Sequence, residues 1–194
     1  LLTAMYLHGS PLHIIFNVMW IRNLGPAVAE AYGPGRAFLL FNVAGAGGFL
    51  ASNLLNGVPG LLMAVVRGDL MFGSAIDLVL SGRLAVPTIG ASGAIFGLLA
   101  ALIVYGRRRG SSVMTQQLWQ WAIILGVFGF LLPEINNWAH GGGFAAGLVG
   151  AQFMNLDDER QDSSWVWLTS LGLIVVTLVG VGLSFVRVTG ILLG

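Results

Sequence analysis

Residues 88–99 read TIGASGAIFGLL, and this stretch decides how the rest of the chain is interpreted. Ser92 stands between small residues where an apolar run begins, and the run reaches Gly106 before three arginines follow at 107–109. An apolar run that ends at a basic cluster is typical of a membrane-spanning helix. The hydroxyl at its start either allows close helix packing or serves as a nucleophile, and the remaining sequence has to distinguish the two.

The composition places the chain in a lipid bilayer. Of its 194 residues, 56% are hydrophobic and 9% are charged, and the mean hydropathy is +0.86. Soluble domains carry about 25% charged residues. A formal net charge of +1 argues against a nucleic-acid-binding face, which requires clustered positive charge. The absence of cysteine excludes disulfides and thiolate metal sites.

Six apolar segments predict six membrane-spanning helices, and hence an all-α polytopic bundle. They cover about 11–32, 36–56, 92–106, 116–132, 137–155 and 165–186. By the positive-inside bias, the arginines at 36, 107–109 and 160 are cytoplasmic, so the first, third and fifth spans run from outside to inside. Residues 57–87 fit no span, and we expect an outer loop with one or two short interfacial helices. The alternative for this segment is a seventh, irregular crossing, which would reverse the orientation of everything downstream.

Polar side chains occur at one predicted depth in the three spans that run the same way. Ser92 lies fifteen residues before Arg107, Asn17 lies fifteen before Tyr32, and His140 lies seventeen before Asp157, the three residues that mark the inner boundary. At about 1.5 Å per residue, all three fall some 5–10 Å below the outer surface of a core about 30 Å thick. His13 precedes Asn17 by four residues and shares its helix face. Because polar groups inside spans are costly, their convergence indicates a site.

Small residues recur every four positions on the third and fifth spans: Gly93, Gly97 and Ala101, and Gly143, Gly147 and Ala151. Such faces let two helix backbones approach closely. His140 lies three residues before Gly143, so its ring is expected on the packed face. Close packing of these two spans would bring the side chains of Ser92 and His140 together.

These residues suit nucleophilic acyl transfer. The Ser92 hydroxyl is a weak nucleophile until a base removes its proton, and His140 is the candidate base. Because no carboxylate accompanies them at their depth, we predict a Ser–His dyad, with the ring of Phe96 as the surface on which His140 rests. His13, the amide of Asn17 and the backbone N–H of Ser92 are the candidate donors for the developing oxyanion.

The sequence predicts neither a metal nor a cofactor. His8 and His13 lack the HExxH arrangement of zinc peptidases, and Asp69 and Asp77 lack the GxGD motif of aspartyl intramembrane proteases. His8, near the predicted surface, is interpreted as a supporting, structural residue.

The segments LHGSPLHIIFN, GASGAIFG and WAHGGGFAAG resemble the rhomboid family of intramembrane serine proteases. That family's HxxxN, GxSG and AHxxG signatures occur in order at 13–17, 90–93 and 139–143. The resemblance implies the six-helix rhomboid core, with Ser92 as nucleophile and His140 as base. It further implies that His13 and Asn17 help to form the oxyanion hole.

The resemblance also divides the chain. It implies a rhomboid catalytic core at 1–155 that lacks the family's first transmembrane helix and carries the insertion at about 57–87. A polar cytoplasmic loop at 156–163 and an extra C-terminal transmembrane helix and tail at 164–194 follow. Since the first residues contain neither an initiator Met nor a signal-peptide pattern, we expect further sequence upstream. The motif glycines are expected to support the dyad: Gly90, Gly93, Gly143 and Gly147.

Together with this resemblance, the sequence predicts a multi-pass serine endopeptidase of the bacterial-type inner cell membrane. Its expected partners are the lipid bilayer and membrane-protein substrates that are cut in or beside their transmembrane helices, without nucleic acid or metal. One alternative is a catalytically inactive rhomboid-like protein that binds or escorts transmembrane helices, which the intact Ser, His and Asn set disfavours. The other is a small-molecule transporter, which would show internal repeats that we do not find in this sequence.

Overall fold

The computed structural model describes residues 3–66, 88–132, 135–154 and 162–193. Within these ranges a 3-10 turn at Thr3–Tyr6 precedes the α-helices, which are α1 (Pro11–Tyr32), α2 (Pro34–Val66), α3 (Ser92–Arg108), α4 (Ser112–Leu131), α5 (Asn137–Gln152) and α6 (Ser164–Leu193). The described ranges contain no strand, which confirms the predicted all-α class. Helices α1, α3 and α5 begin at one end of the bundle, called the upper end below, and α2, α4 and α6 begin at the opposite, lower end.

Helix α3 forms the centre of the bundle. Every residue from Gly93 to Val104 is buried. A helix that is apolar on every side is either enclosed by other elements or covered by lipid, and α3 is enclosed, because α1, α2, α4 and α5 pack around it. The first residue of this helix, Ser92, is therefore held inside the upper end of the bundle.

The bounds of α1 follow from local sequence signals, and the predicted span at 11–32 is confirmed as a helix. The Ser10 side chain accepts a hydrogen bond from the backbone N–H of His13 over 3.2 Å, and Pro11 occupies the first helical position. The helix ends at Gly33, whose φ of +96° is one that side chains with a Cβ rarely adopt. Because Pro34 starts α2 directly afterwards, the chain reverses direction within one residue.

Helix α2 is longer than the sequence predicted. The expected end was near residue 56, with an outer loop over 57–87, but the helix continues to Val66. Residues 57–66 carry no charge, so no polar group ends the apolar segment before Arg67. The remainder of the predicted loop, 67–87, and most of the polar loop predicted at 156–163 lie outside the described residues.

The surface of the bundle is apolar enough to be covered by lipid. Two helices contain segments that could cross a membrane by length and composition: Pro34–Gly57, with mean hydropathy 1.6, and Ser164–Leu183, with 2.2. Exposed apolar side chains occur on other helices as well, such as Ile15 at 61% and Phe130 at 81% exposure. Many exposed apolar side chains of this kind are typical of contact with a bilayer. The remaining predicted spans correspond to helices of 22, 17, 20 and 16 residues, and their crossing of the membrane stays a prediction.

Helix α6 is fastened to the lower end of the bundle by Asp162. Its carboxylate accepts hydrogen bonds from the backbone N–H groups of Gly35 (2.5 Å) and Arg36 (3.3 Å), so it caps the N-terminus of α2. The Asp162 side chain is completely buried and lies 3.8 Å from the Arg36 Nε. A carboxylate at a helix N-terminus satisfies unpaired N–H groups and interacts favourably with the helix dipole.

Candidate active site

The side chains of Ser92 and His140 meet at the upper end of the bundle. The Ser92 Oγ lies 2.9 Å from the His140 Nε2, a hydrogen-bonding distance, although 48 residues separate the two in the chain. Ser92 is the first residue of α3 and His140 lies in the first turn of α5. The two groups that the sequence placed at one depth are therefore in direct contact.

The imidazole of His140 is held by packing. The ring of Phe96 stacks on it, with ring centroids 4.3 Å apart and planes 18° from parallel. The second imidazole nitrogen, Nδ1, is buried and has no hydrogen-bond partner in the described part of the chain. The orientation of the ring therefore depends on the backbone of α5 and on Phe96.

Glycines allow α3 and α5 to touch backbone to backbone. A Cβ on Gly143 would overlap the backbone of Gly93, and a Cβ on Gly147 would overlap the backbone of Gly97. The small-residue faces predicted on these helices therefore face each other. Gly141, on another side of α5, has nothing within 4 Å of the position a Cβ would take. Gly141 therefore lies outside the face on which the two helices approach each other closely.

The lower ends of the same two helices are joined by Arg108. Its guanidinium donates hydrogen bonds to the carbonyl oxygens of Gln152 (2.6 Å) and Met154 (2.8 Å). These carbonyls lie at the end of α5, where a cation satisfies acceptors that the helix leaves unpaired. Helices α3 and α5 are consequently held together at both ends.

A further set of small residues, on α2, was not identified from the sequence. A Cβ on Gly48 would overlap the carbonyl oxygen of Ala139, and Ala44 fills the space beside Gly97. The signal was the run AGAGG at 44–48, which lies in the middle of a span. Helix α2 therefore packs closely against both helices that carry the dyad residues.

The candidate oxyanion donors lie beside the turn that precedes Ser92. Gly90 has a φ of +114°, and a Cβ there would lie 2.6 Å from the His13 Nε2 and 3.7 Å from the Asn17 Nδ2. The Asn17 amide is buried and donates one hydrogen bond to the His13 carbonyl over 3.1 Å, which uses one of its two N–H groups. Both side chains thus face Gly90, but no hydrogen bond recorded among the described residues joins either of them to Ser92.

The first turn of α3 adds backbone donors next to Ser92. The preceding residue, Ala91, provides no side-chain cap, and the Ile95 N–H is bonded to the Ala91 carbonyl over 3.0 Å. The N–H groups of residues 92–94 precede the first bond of the helical ladder. Unpaired N–H groups at the positive end of a helix dipole favour negative charge.

The third histidine, His8, contacts His13 and not the dyad. The two rings meet edge to face, with centroids 5.1 Å apart, and the His8 Nε2 is buried without a hydrogen-bond partner among the described residues. In the part of the chain that the structure describes, no group of three or more His, Asp or Glu residues is placed to hold a metal ion.

A cluster of polar side chains near the dyad was missed from the sequence. Asn136, the N-cap of α5, accepts a hydrogen bond from the Ala139 N–H over 3.2 Å. Its Nδ2 donates to the Ser52 Oγ (2.6 Å) and to the Thr88 Oγ1 (2.8 Å), and Asn56 also donates to the Ser52 Oγ (3.1 Å). The one available signal was an asparagine just before a helix, because Asn is a preferred N-cap.

Comparison with known proteins links the chain to a single family. The Rhomboid domain family model matches residues 1–155. The chain is 29% identical to "Rhomboid protease GluP" of Bacillus subtilis (strain 168), over 80% of this chain and 26% of that protein. It is 28% identical to "RHOMBOID-like protein 1" of Arabidopsis thaliana, over 79% of this chain and 34% of the relative. It is also 28% identical to "RHOMBOID-like protein 5" of the same plant, over 76% of this chain and 41% of that relative. The matched part thus spans 26% to 41% of the length of these curated relatives.

Proposed function

This chain belongs to the rhomboid family of multi-pass membrane proteins, and on that premise we propose that it is an intramembrane serine endopeptidase. It would hydrolyse peptide bonds in or near the transmembrane helices of membrane-protein substrates. The observation that carries the proposal is the 2.9 Å separation of the Ser92 Oγ and the His140 Nε2 on two helices in backbone contact. The family's HxxxN, GxSG and AHxxG motifs meet at the same end of the bundle, which supports the same assignment.

In the first half of the reaction, the Ser92 Oγ attacks the carbonyl carbon of the scissile peptide bond while His140 Nε2 takes the hydroxyl proton. The carbonyl oxygen becomes an oxyanion in the tetrahedral intermediate. The backbone N–H of Ser92 at the start of α3, with the side chains of His13 and Asn17, supplies donors to it. The intermediate collapses as the C–N bond breaks, and the imidazolium gives its proton to the leaving amine.

In the second half, water hydrolyses the acyl-enzyme. His140 removes a proton from the water, and the resulting oxygen nucleophile attacks the ester carbon. When the second tetrahedral intermediate collapses, the bond to the Ser92 Oγ breaks and the proton returns from the imidazolium to the hydroxyl. The products are two peptide segments, one with a new carboxylate and one with a new amine, and both side chains end in their starting states.

The dyad works without an aspartate because its geometry is set by packing. The Phe96 ring and the α5 backbone orient the imidazole, while the Nδ1 nitrogen has no partner in the described residues. A third group normally fixes the tautomer and orientation of a catalytic histidine. Here the stacked ring takes over the orienting part of that role.

The substrate class follows from the place of the dyad within the bundle. The reacting groups lie in the first turns of α3 and α5, enclosed by a largely apolar bundle. A peptide bond inside a helix is shielded by hydrogen bonds to neighbouring turns, so a substrate helix has to unwind locally to present its carbonyl. Substrates with small or helix-breaking residues near the cleavage point fit this requirement. We place the protein in a bacterial-type inner cell membrane.

The test is cleavage of a reporter membrane protein by the full chain in liposomes. Ser92→Ala and His140→Ala should each reduce cleavage to the uncatalysed background, because one removes the nucleophile and the other the base. Ser112→Ala, at the exposed start of α4, is the matched control and should cleave as the wild type does. Undiminished cleavage by Ser92→Ala would reject the proposal. A wild type that binds transmembrane helices, yet neither cleaves them nor reacts with a serine-directed probe, would replace it with the inactive rhomboid-like alternative.

A further inference from the structure

The side-chain amide of Asn136 joins the two chain segments that lead to Ser92 and His140. Asn136 lies four residues before His140, and Thr88 lies four residues before Ser92. The Asn136 Nδ2 donates to the Thr88 Oγ1 over 2.8 Å, so a direct hydrogen bond connects the approach to α5 with the approach to α3. The second N–H group of the same amide donates to the Ser52 Oγ over 2.6 Å.

The remaining groups of Asn136 define the first turn of α5. Its Oδ1 accepts from the Ala139 N–H and its backbone carbonyl accepts from the His140 N–H, each over 3.2 Å. The side chain is therefore the N-cap of the helix that carries the candidate base. The backbone positions of Asn136 and His140 are therefore coupled by a direct hydrogen bond.

Ser52 gives this connection a fixed anchor. It is fully buried on α2, its Oγ also accepts from the Asn56 Nδ2 over 3.1 Å, and it lies 3.3 Å from the Thr88 Oγ1. The cluster is partly buried, and its mutual hydrogen bonds restrict the positions that its members can take. The three elements that meet at Asn136 are thereby held in one relative position.

We propose that Asn136 is a positioning residue for the Ser92–His140 pair, and that it sets the separation of the two backbone segments that carry the reacting groups. This inference rests on the function proposed above. No carboxylate bonds to the His140 Nδ1 among the described residues, so the placement of the imidazole depends on the start of α5. A displacement of about 1 Å can reduce turnover by roughly a hundredfold.

Two substitutions separate the connecting role of Asn136 from its capping role. Asn136→Ser keeps a side-chain oxygen suited to an N-cap but is too short to reach both hydroxyl partners. Thr88→Val keeps the shape of its side chain and removes the acceptor on the side of Ser92. We expect each to lower kcat for reporter cleavage about ten- to hundredfold, with KM changed less than about twofold, because neither removes a substrate contact. The rate of labelling by a serine-directed probe should fall in parallel.

The double variant tests whether the two residues act through one connection. If they do, Asn136→Ser with Thr88→Val loses no more activity than the more damaged single variant, because the hydrogen bond is already absent. Independent effects would instead multiply, and that outcome contradicts a shared connection.

Asn137 provides the matched control. It is the adjacent asparagine, and its Nδ2 donates over 2.9 Å to the Gly129 carbonyl, so it ties α5 to α4. Among the described residues it makes no hydrogen bond to the segment before Ser92. Asn137→Ser should lower the unfolding temperature while leaving kcat within about twofold of the wild type. A loss of kcat as large as that of Asn136→Ser would show that general loosening of α5 explains the effect, and the inference would fail.

Ser92→Ala, measured in the same series, tests the proposed function separately from the positioning role of Asn136. If Ser92→Ala is inactive while Asn136→Ser and Thr88→Val keep the wild-type kcat, the positioning role is wrong and the serine mechanism stands. If Ser92→Ala still cleaves, the proposed function is wrong and the positioning role falls with it.

Discussion

Phe96 and His140 form a nearly parallel ring stack on two different helices, with centroids 4.3 Å apart. Phe96 lies four residues after Ser92, one turn further along α3. The helix that carries the candidate nucleophile therefore also supports the candidate base. A change at Phe96 acts on the orientation of the imidazole without touching either reacting atom.

We predict that Phe96→Leu slows labelling by a serine-directed probe about tenfold, because the imidazole loses the flat surface that limits its tilt. Phe144→Leu on α5 is the matched control, since its ring contacts Trp119 and not the dyad. Both variants lose an aromatic contact worth about 0.5–1.5 kcal/mol and should show similar drops in unfolding temperature. Equal labelling rates in the two variants would contradict an orienting role for Phe96.

Gly90→Ala should abolish cleavage. Its φ of +114° strains any residue with a Cβ, and the added Cβ would lie 2.6 Å from the His13 Nε2, so the turn before Ser92 has to move. Gly110→Ala isolates the strain, because Gly110 also has a positive φ, +69°, but nothing within 4 Å of its Cβ position. That control should cost about 1–2 kcal/mol of stability and leave the cleavage rate per folded molecule unchanged. The comparison uses the cleavage rates of Gly90→Ala and Gly110→Ala, each divided by the fraction of that variant that is folded.

Gly143→Ala should separate α3 from α5, since the new methyl group would overlap the backbone of Gly93. Overpacking of this kind costs about 1–3 kcal/mol, and the shift should also break the contact between Ser92 and His140. Gly141→Ala, two residues earlier on an open side of α5, should be neutral or slightly stabilising because alanine is the better helix former. Thermal unfolding in detergent, with probe labelling of the same samples, distinguishes the two. Comparable behaviour of the two variants would argue against the tight backbone contact.

Asp162→Ala should destabilise the protein by about 1–2 kcal/mol, because the first N–H groups of α2 lose their buried cap. Glu30→Ala, at an exposed position on α1, removes the same charge from the surface and should have little effect. The comparison requires unfolding temperatures for both variants in one detergent. An unaltered unfolding temperature for Asp162→Ala would mean that α6 is not anchored through this carboxylate.

The contact between Ser92 and His140 could be anticipated because helical rise is constant. Residues equally far from the ends of parallel spans lie at equal depth, and glycine faces bring such spans together. The depth of a residue and the presence of a glycine face can each be determined from the sequence of one helix alone.

What the sequence did not reveal depends on contacts between distant segments. Asn136 meets Ser52 and Thr88 across 84 and 48 residues, and the relative placement of α2, α5 and the segment before α3 decides which hydroxyls its amide reaches. The end of α2 was misplaced for a different reason: residues 57–66 contain no charge that would mark a stop. The glycines of α2 were recognisable as small residues, but not as the surface that receives both α3 and α5.

The hydrogen bonds of Arg108 have a mechanical consequence. With the Ser92–His140 contact at one end and the Arg108 guanidinium at the other, α3 and α5 cannot slide past each other by one residue, about 1.5 Å, without losing both connections. At the glycine contacts the two backbones already touch, so the helices cannot tilt further towards each other. The two helices therefore form a rigid pair. If the chain cleaves a polypeptide as proposed, that polypeptide has to reach Ser92 between other helices and not between α3 and α5.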